Sequence, residues 1–115
     1  MIYENENGIY VSVEGKTRAL DDSIKINIPT FEEYEHKRQL RILFNVVMIN
    51  ITKEGPKPNF IAYEGIFYRD SAIVAMVLNE TGNISQIENW IENIDSMYDM
   101  QNGYEEADNL GQVLY

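Results

Sequence analysis

A mainly α fold opened by a short β segment is what this chain of 115 residues predicts, on three observations. Apolar and polar residues alternate at period two near residues 9–13 and again at 24–28, whereas from Thr30 onward apolar residues recur at helical spacing. Two Ser/Thr-x-x-Glu capping boxes then mark helix starts within that second part. The division expected is a β segment at 1–29 and about four helices at 30–115.

In the β segment, Ile9, Val11 and Val13 alternate with Tyr10 and Ser12, Glu14-Gly15-Lys16 offers a turn, and Ile24, Ile26 and Ile28 alternate with Lys25 and Asn27. Pro29 closes it, because proline donates no ladder hydrogen bond. The box Thr30-Phe31-Glu32-Glu33 opens the first helix. Its stripe is Leu40, Leu43, Phe44, Val47, Met48 and Ile51. Since Ile42, Val46 and Ile49 lie off that stripe, its second half is apolar nearly all round and needs cover on more than one side. Lys53-Glu54-Gly55-Pro56-Lys57-Pro58 reads as a loop.

A second helix is expected over 71–80, ending at Thr81-Gly82-Asn83, where glycine can take a left-handed cap. Its centre, Ala72 to Leu78, has no polar face and must be enclosed. The box Ser85-Gln86-Ile87-Glu88 opens a third, amphipathic helix with Ile87, Trp90, Ile91 and Ile94 on one face. A fourth starts near Glu105 and Glu106, whose charges suit the positive end of a helix dipole. It runs to Tyr115 with its apolar stripe still building and without a stop signal, which predicts a chain cut from something longer.

Composition removes several classes of function. Nine Lys and Arg stand against 19 Asp and Glu, a net charge of −10, with one His and no Cys. A disulfide scaffold, a thiolate zinc site, a cysteine nucleophile and a multi-histidine site are therefore excluded. The acidic balance argues against nucleic acid and anionic membrane surfaces. The start Met1-Ile2-Tyr3-Glu4 has neither the basic nor the apolar part of a secretory signal, and no apolar run approaches a membrane span, so a cytoplasmic location is expected. No cofactor is implied.

The densest chemistry lies at Tyr63-Glu64-Gly65-Ile66-Phe67-Tyr68-Arg69-Asp70-Ser71-Ala72. Arg offers a planar fork of donors, Asp offers acceptors, and aromatic rings offer flat apolar platforms, a combination suited to the hydroxyl edge and CH face of a sugar. The plain alternative has Asp70 or Ser71 capping a helix, Arg69 paired to a carboxylate and the aromatics in the core. His36 reads as a solvated helix residue and Trp90 as core. Asp95, Asp99 and Asn102 read as a polar loop rather than a calcium site.

Phe67-Tyr68-Arg69-Asp70-Ser71-Ala72-Ile73-Val74, followed by an apolar helix and Thr81-Gly82-Asn83, resembles the aromatic-x-Arg-Asp-Ser-Ala segment of glucoamylase-like glycoside hydrolases, which fold as a six-hairpin (α/α) toroid. The stretch Glu105-Glu106-Ala107-Asp108-Asn109-Leu110-Gly111-Gln112 resembles an early inner helix of such a toroid. Together these segments span roughly 58–115, about half the chain.

The resemblance implies that the helices form the first hairpins of a toroid. It also implies that Arg69 and Asp70 hold sugar hydroxyls, within a binding set of Tyr63, Phe67, Tyr68, Arg69, Asp70, Asp108 and Asn109. The tryptophan usual before the family's Arg-Asp pair is replaced here by Phe67 and Tyr68. The family's two catalytic carboxylates fall further along a longer chain, so this one is expected to contribute sugar-binding residues without activity of its own. Asp70 with Asp108 or Glu105 is the best carboxylate pair within it. Carbohydrate is then the expected partner, together with self-association through uncovered helix faces. The competing expectation is an intact acidic α+β interaction or inhibitor module whose charge complements a basic partner.

Overall fold

A computed structural model describes residues 1–5, 8–19 and 25–114. Strands β1 (Ile2–Asn5), β2 (Gly8–Val13) and β3 (Lys16–Ala19) form an antiparallel meander in the order β1-β2-β3. The β2–β3 connection is the two-residue turn Glu14-Gly15, with φ of 49° and 77°. Two left-handed residues in a row give a turn whose twist matches that of the flanking strands, which fixes Val13 opposite Lys16. The expected strand at 24–28 does not form over its described part. Ile24 lies outside the described residues, and 25–30 has no regular secondary structure, with Ile26 and Ile28 exposed.

That segment is anchored by side chains instead of a ladder. Asn83, buried, accepts the Asn27 amide at Oδ1 (2.8 Å) and donates from Nδ2 to the Asn27 carbonyl (2.8 Å). It does what a neighbouring strand would do for one residue. Asn27 Nδ2 donates to the Thr81 carbonyl and Gln86 Nε2 to the Lys25 carbonyl.

Helix α1 (Lys37–Ile49) starts seven residues beyond the expected Thr30 box. Phe31 has φ of 55°, which no right-handed helix accommodates, and Glu32 is drawn to Lys37 Nζ at 2.6 Å. Residues 31–36 are therefore successive turns, closed by Tyr34 N–H to the Phe31 carbonyl and Lys37 N–H to the Tyr34 carbonyl. Asn50 ends the helix: its Nδ2 donates to the Val46 carbonyl and its Oδ1 accepts the Phe60 amide. The Gly-Pro stretch read as loop holds a small hairpin of β4 (Ile51–Thr52) and β5 (Gly55–Pro56). Proline at Pro56 limits that ladder to two residues a strand.

Helix α2 (Tyr68–Glu80) begins three residues before its expected start, so neither Asp70 nor Ser71 caps it. Ser71 is buried inside the first turn and donates to the Pro56 carbonyl at 3.2 Å. The far end behaves as the sequence predicts. Gly82 has φ of 71°, its N–H bonds the Asn79 carbonyl, and Asn83 N–H reaches back to the Leu78 carbonyl, which is a Schellman closure. A 3-10 turn (Ile84–Gln86) then leads into α3 (Glu88–Glu92), and α4 (Asn109–Leu114) packs on α2. The Ser85 box does not cap α3, because the 3-10 turn places Ile87 at its N-cap.

The expectation of a mainly α fold made of the first hairpins of a toroid is thereby corrected: among the described residues four α-helices interleave with a three-stranded and a two-stranded antiparallel sheet, an α+β fold. The helices shrank where a left-handed Phe31 and a 3-10 turn displaced their starts, and β pairing extended into the Gly-Pro segment.

Among the described large apolar side chains only Phe44, Leu78 and Ile87 are buried. Ile42, Leu43, Val46 and Ile49 of α1 and Ile73 and Met76 of α2 are exposed. The accessible surface is 8924 Å², against about 6,500 Å² for a folded monomer of this mass. The radius of gyration is 16.6 Å, against about 13 Å for a compact domain of this length. Part of that excess belongs to the β1–β3 sheet, against which no described helix packs broadly. The rest is uncovered helix face.

Candidate functional site

The phase of α2 divides the residues expected to bind sugar. Successive helical residues turn about 100°, so Tyr68 and Asp70 point about 200° apart. Tyr68 faces α3, with its ring edge-on to Trp90 at 6.4 Å and its hydroxyl donating to the Ser96 carbonyl. Asp70 faces the other way, into a shallow cavity of about 180 Å³ beside Val46, Val47, Asn50, Lys57 and Ile73. Arg69 lies between them, exposed, with no hydrogen bond or ion pair among the described residues. Tyr63 and Phe67 meet edge to face at 5.7 Å just before the helix.

The second segment does not complete a site around Arg69 and Asp70. Asn109 is fully buried, accepts the Asp99 amide at Oδ1 and donates from Nδ2 to Gln112 Oε1. Asp108 is exposed and accepts Gln112 Nε2 at 3.0 Å, and Glu105 is exposed ahead of the turn that leads into α4. The cavity that holds Asp70 includes neither Asp108 nor Glu105, so the carboxylate pair considered from the sequence is not lined up in it. His36 is an exposed N-cap residue of α1. Among the described residues no group of three or more His, Cys, Asp or Glu is placed to hold a metal, and no helix is long and apolar enough to cross a membrane.

The structure instead builds a groove on the Tyr68 side of α2. Tyr68, Ala72, Ala75 and Met76 form its floor, Ile84, Trp90, Ile91 and Ile94 one wall, and Gln112 and Val113 of α4 the other, around about 340 Å³. Trp90 is thus half-buried and groove-lining rather than sealed in a core. It is held by close packing, since a Cβ on Gly55 would stand 2.6 Å from its Cδ1. Few free polar groups enter this groove, because Ser71 and Gln112 already have partners.

Most of the chain that forms it is acidic. Arg69 is the last cation of the chain, and the 46 residues after it carry nine Asp or Glu, close to the whole net charge of −10. The effect reaches the groove itself: the Tyr68 phenol is pushed above its ordinary pKa, first by burial and then by the carboxylates of Asp95 and Asp99. That partition of charge is visible in the sequence, although no motif carries it. The meeting of three helices around Trp90 was not visible there. No protein-family model, curated protein or solved structure matches the chain.

Proposed function

We propose that this chain is an acidic α+β interaction module that docks a cationic amphipathic helix in the groove between α2, α3 and α4. One observation carries the reading: an apolar trough of about 340 Å³, walled by Trp90 and Ile91, draws all its lining except Tyr68 from the last 46 residues, which hold nine carboxylates and no cation. An apolar helix face buries against such a trough, while Lys or Arg beside that face meets the acidic surroundings. Trp90 is the one tryptophan of the chain and reports on its own site. Titration with a Lys/Leu amphipathic helical peptide should shift its emission to the blue, with weaker binding at about 0.5 M salt, where charge is screened over a few Å. A Glu/Leu counterpart should do nothing. No response to the cationic peptide overturns the reading.

Carbohydrate binding, as part of a glycoside hydrolase-like protein, is the second reading, and a specific feature favours it. The Tyr63–Phe67 pair and the unpartnered Arg69 guanidinium lie on one exposed segment, with Phe60 and Ile61 also open to solvent. Calorimetry with small oligosaccharides tests it. Heat that vanishes in Arg69→Ala at unchanged helix content supports sugar contact, and no heat with the parent protein rejects it.

A further inference from the structure

We infer that the cationic helix this groove takes is α1 of a second copy of the chain, so that copies join head to tail. The inference rests on the groove reading above and names its partner.

Helix α1 faces α2 across an apolar cavity lined by Leu40, Phe44 and Val47, of which Phe44 is buried. Its opposite side is bordered only at its start, where Thr30 and Glu32 lie beside Arg38, Arg41 and Ile42. Arg38, Arg41, Ile42, Val46 and Ile49 follow one another at helical spacing, with Ile42 at 53% and Ile49 at 63% exposure. Lys37–Ile49 contains three cations and no carboxylate; Lys37 is engaged by Glu32, whereas Arg38 and Arg41 have no ion pair among the described residues. This is the ligand chemistry the groove calls for, an apolar stripe with guanidinium groups at one end.

Dimensions agree. The open stripe from Arg38 to Ile49 and the groove floor from Tyr68 to Asn79 each rise about 16 Å at 1.5 Å per residue. No residue of α1 lines the groove of its own chain, so both surfaces are available at once. Asp108, beside groove-lining Gln112, and Asp95, whose charge is felt at Tyr68, supply carboxylates for the two arginines.

The area also suffices. A standard interface removes about 800 Å² from each partner, and a copy using both surfaces would bury about twice that. This lies within the roughly 2,400 Å² by which the chain exceeds a folded monomer of its mass. Because the two surfaces differ, the contact is heterologous and generates rings or open chains rather than a closed two-fold dimer.

Sedimentation of the full chain tests this. The wild-type mass should rise above the dimer with concentration and fall towards the monomer at about 0.5 M salt. Arg38→Glu with Arg41→Glu disables the helix, and Asn79→Lys with Ile91→Lys disables the groove. All four positions are exposed, so circular dichroism should match wild type. Each double variant alone should be monomeric, and an equimolar mixture should stop at a 1:1 dimer, since one retains a helix and the other a groove.

A monomeric wild type, assembly by either variant alone, or a monomeric mixture overturns self-docking. If in that case Trp90 still responds to the Lys/Leu peptide, the groove reading stands and only the identity of its partner falls. If Trp90 is also silent, both fall.

Discussion

Asp99 accepts the backbone amide of Tyr68 at 2.7 Å and so caps α2 from 31 residues downstream. Phe67, the local N-cap, has no side-chain oxygen to offer the free amides of the first turn. Asp99 is itself held: its amide donates to Asn109 Oδ1 and its Oδ1 accepts the Gln101 amide. One carboxylate therefore ties the start of α2, the 95–103 loop and the head of α4 together.

Asp99→Ala should lower the unfolding free energy by about 1–2 kcal/mol, as loss of a helix cap does. Asp99→Asn keeps an acceptor for Tyr68 and should lose less. Urea titration followed by circular dichroism checks the order, and equal losses in the two variants would mean that carboxylate charge, rather than the hydrogen bond, holds α2.

Asn83→Ala should release residues 25–27 from the helical part, because both Asn27–Asn83 hydrogen bonds disappear together. The expected cost is about 1–3 kcal/mol, that of leaving buried partners unpaired. Limited proteolysis should show faster cleavage near Lys25 in the variant. Unchanged cleavage would show that Asn27 Nδ2 on the Thr81 carbonyl is anchor enough.

Tyr68 gives a pH signature. The raised phenol pKa means that the folded state favours the neutral ring, so the associated stability is complete below the ordinary value of about 10 and is lost as pH rises through the higher folded value. The wild type should therefore lose stability above about pH 10 faster than Tyr68→Phe does. Seven other tyrosines titrate in both proteins, so only the difference between the two curves is informative. Parallel curves would contradict the assignment.

Gly55→Ala should disturb the groove from behind. Its φ of 137° suits glycine, and the added methyl would stand 2.6 Å from Trp90 Cδ1 and 2.8 Å from Ile66 Cδ1. Overpacking of this kind costs about 1–3 kcal/mol. A shift of Trp90 emission with reduced affinity for the Lys/Leu peptide is expected, and unchanged emission would show that the indole yields without cost.

Local chemistry was legible where it acted alone. The alternation of Val11 and Val13, the Glu14-Gly15 turn, the Gly82 closure and the apolar girdle of α1 all follow from residue types and spacing. So did the charge that distinguishes the last 46 residues. Helix starts were read less well, because a capping box competes with alternatives that its four letters do not contain. At Thr30 the competitor was a left-handed Phe31 with a Glu32–Lys37 pair, and at Ser85 it was a 3-10 turn.

What the sequence by itself determined is therefore the set of apolar faces and the sign of the charge around them, since both are sums over residues along a single element. Tertiary structure alone decided which faces meet. It set Tyr68 and Asp70 on opposite sides of α2 by helical phase, capped that helix with a carboxylate 31 residues away, and placed Trp90 of α3 against Gly55 of the distant β4–β5 hairpin. Those are relations between segments far apart in the chain, and they follow from packing in space, which no local period encodes.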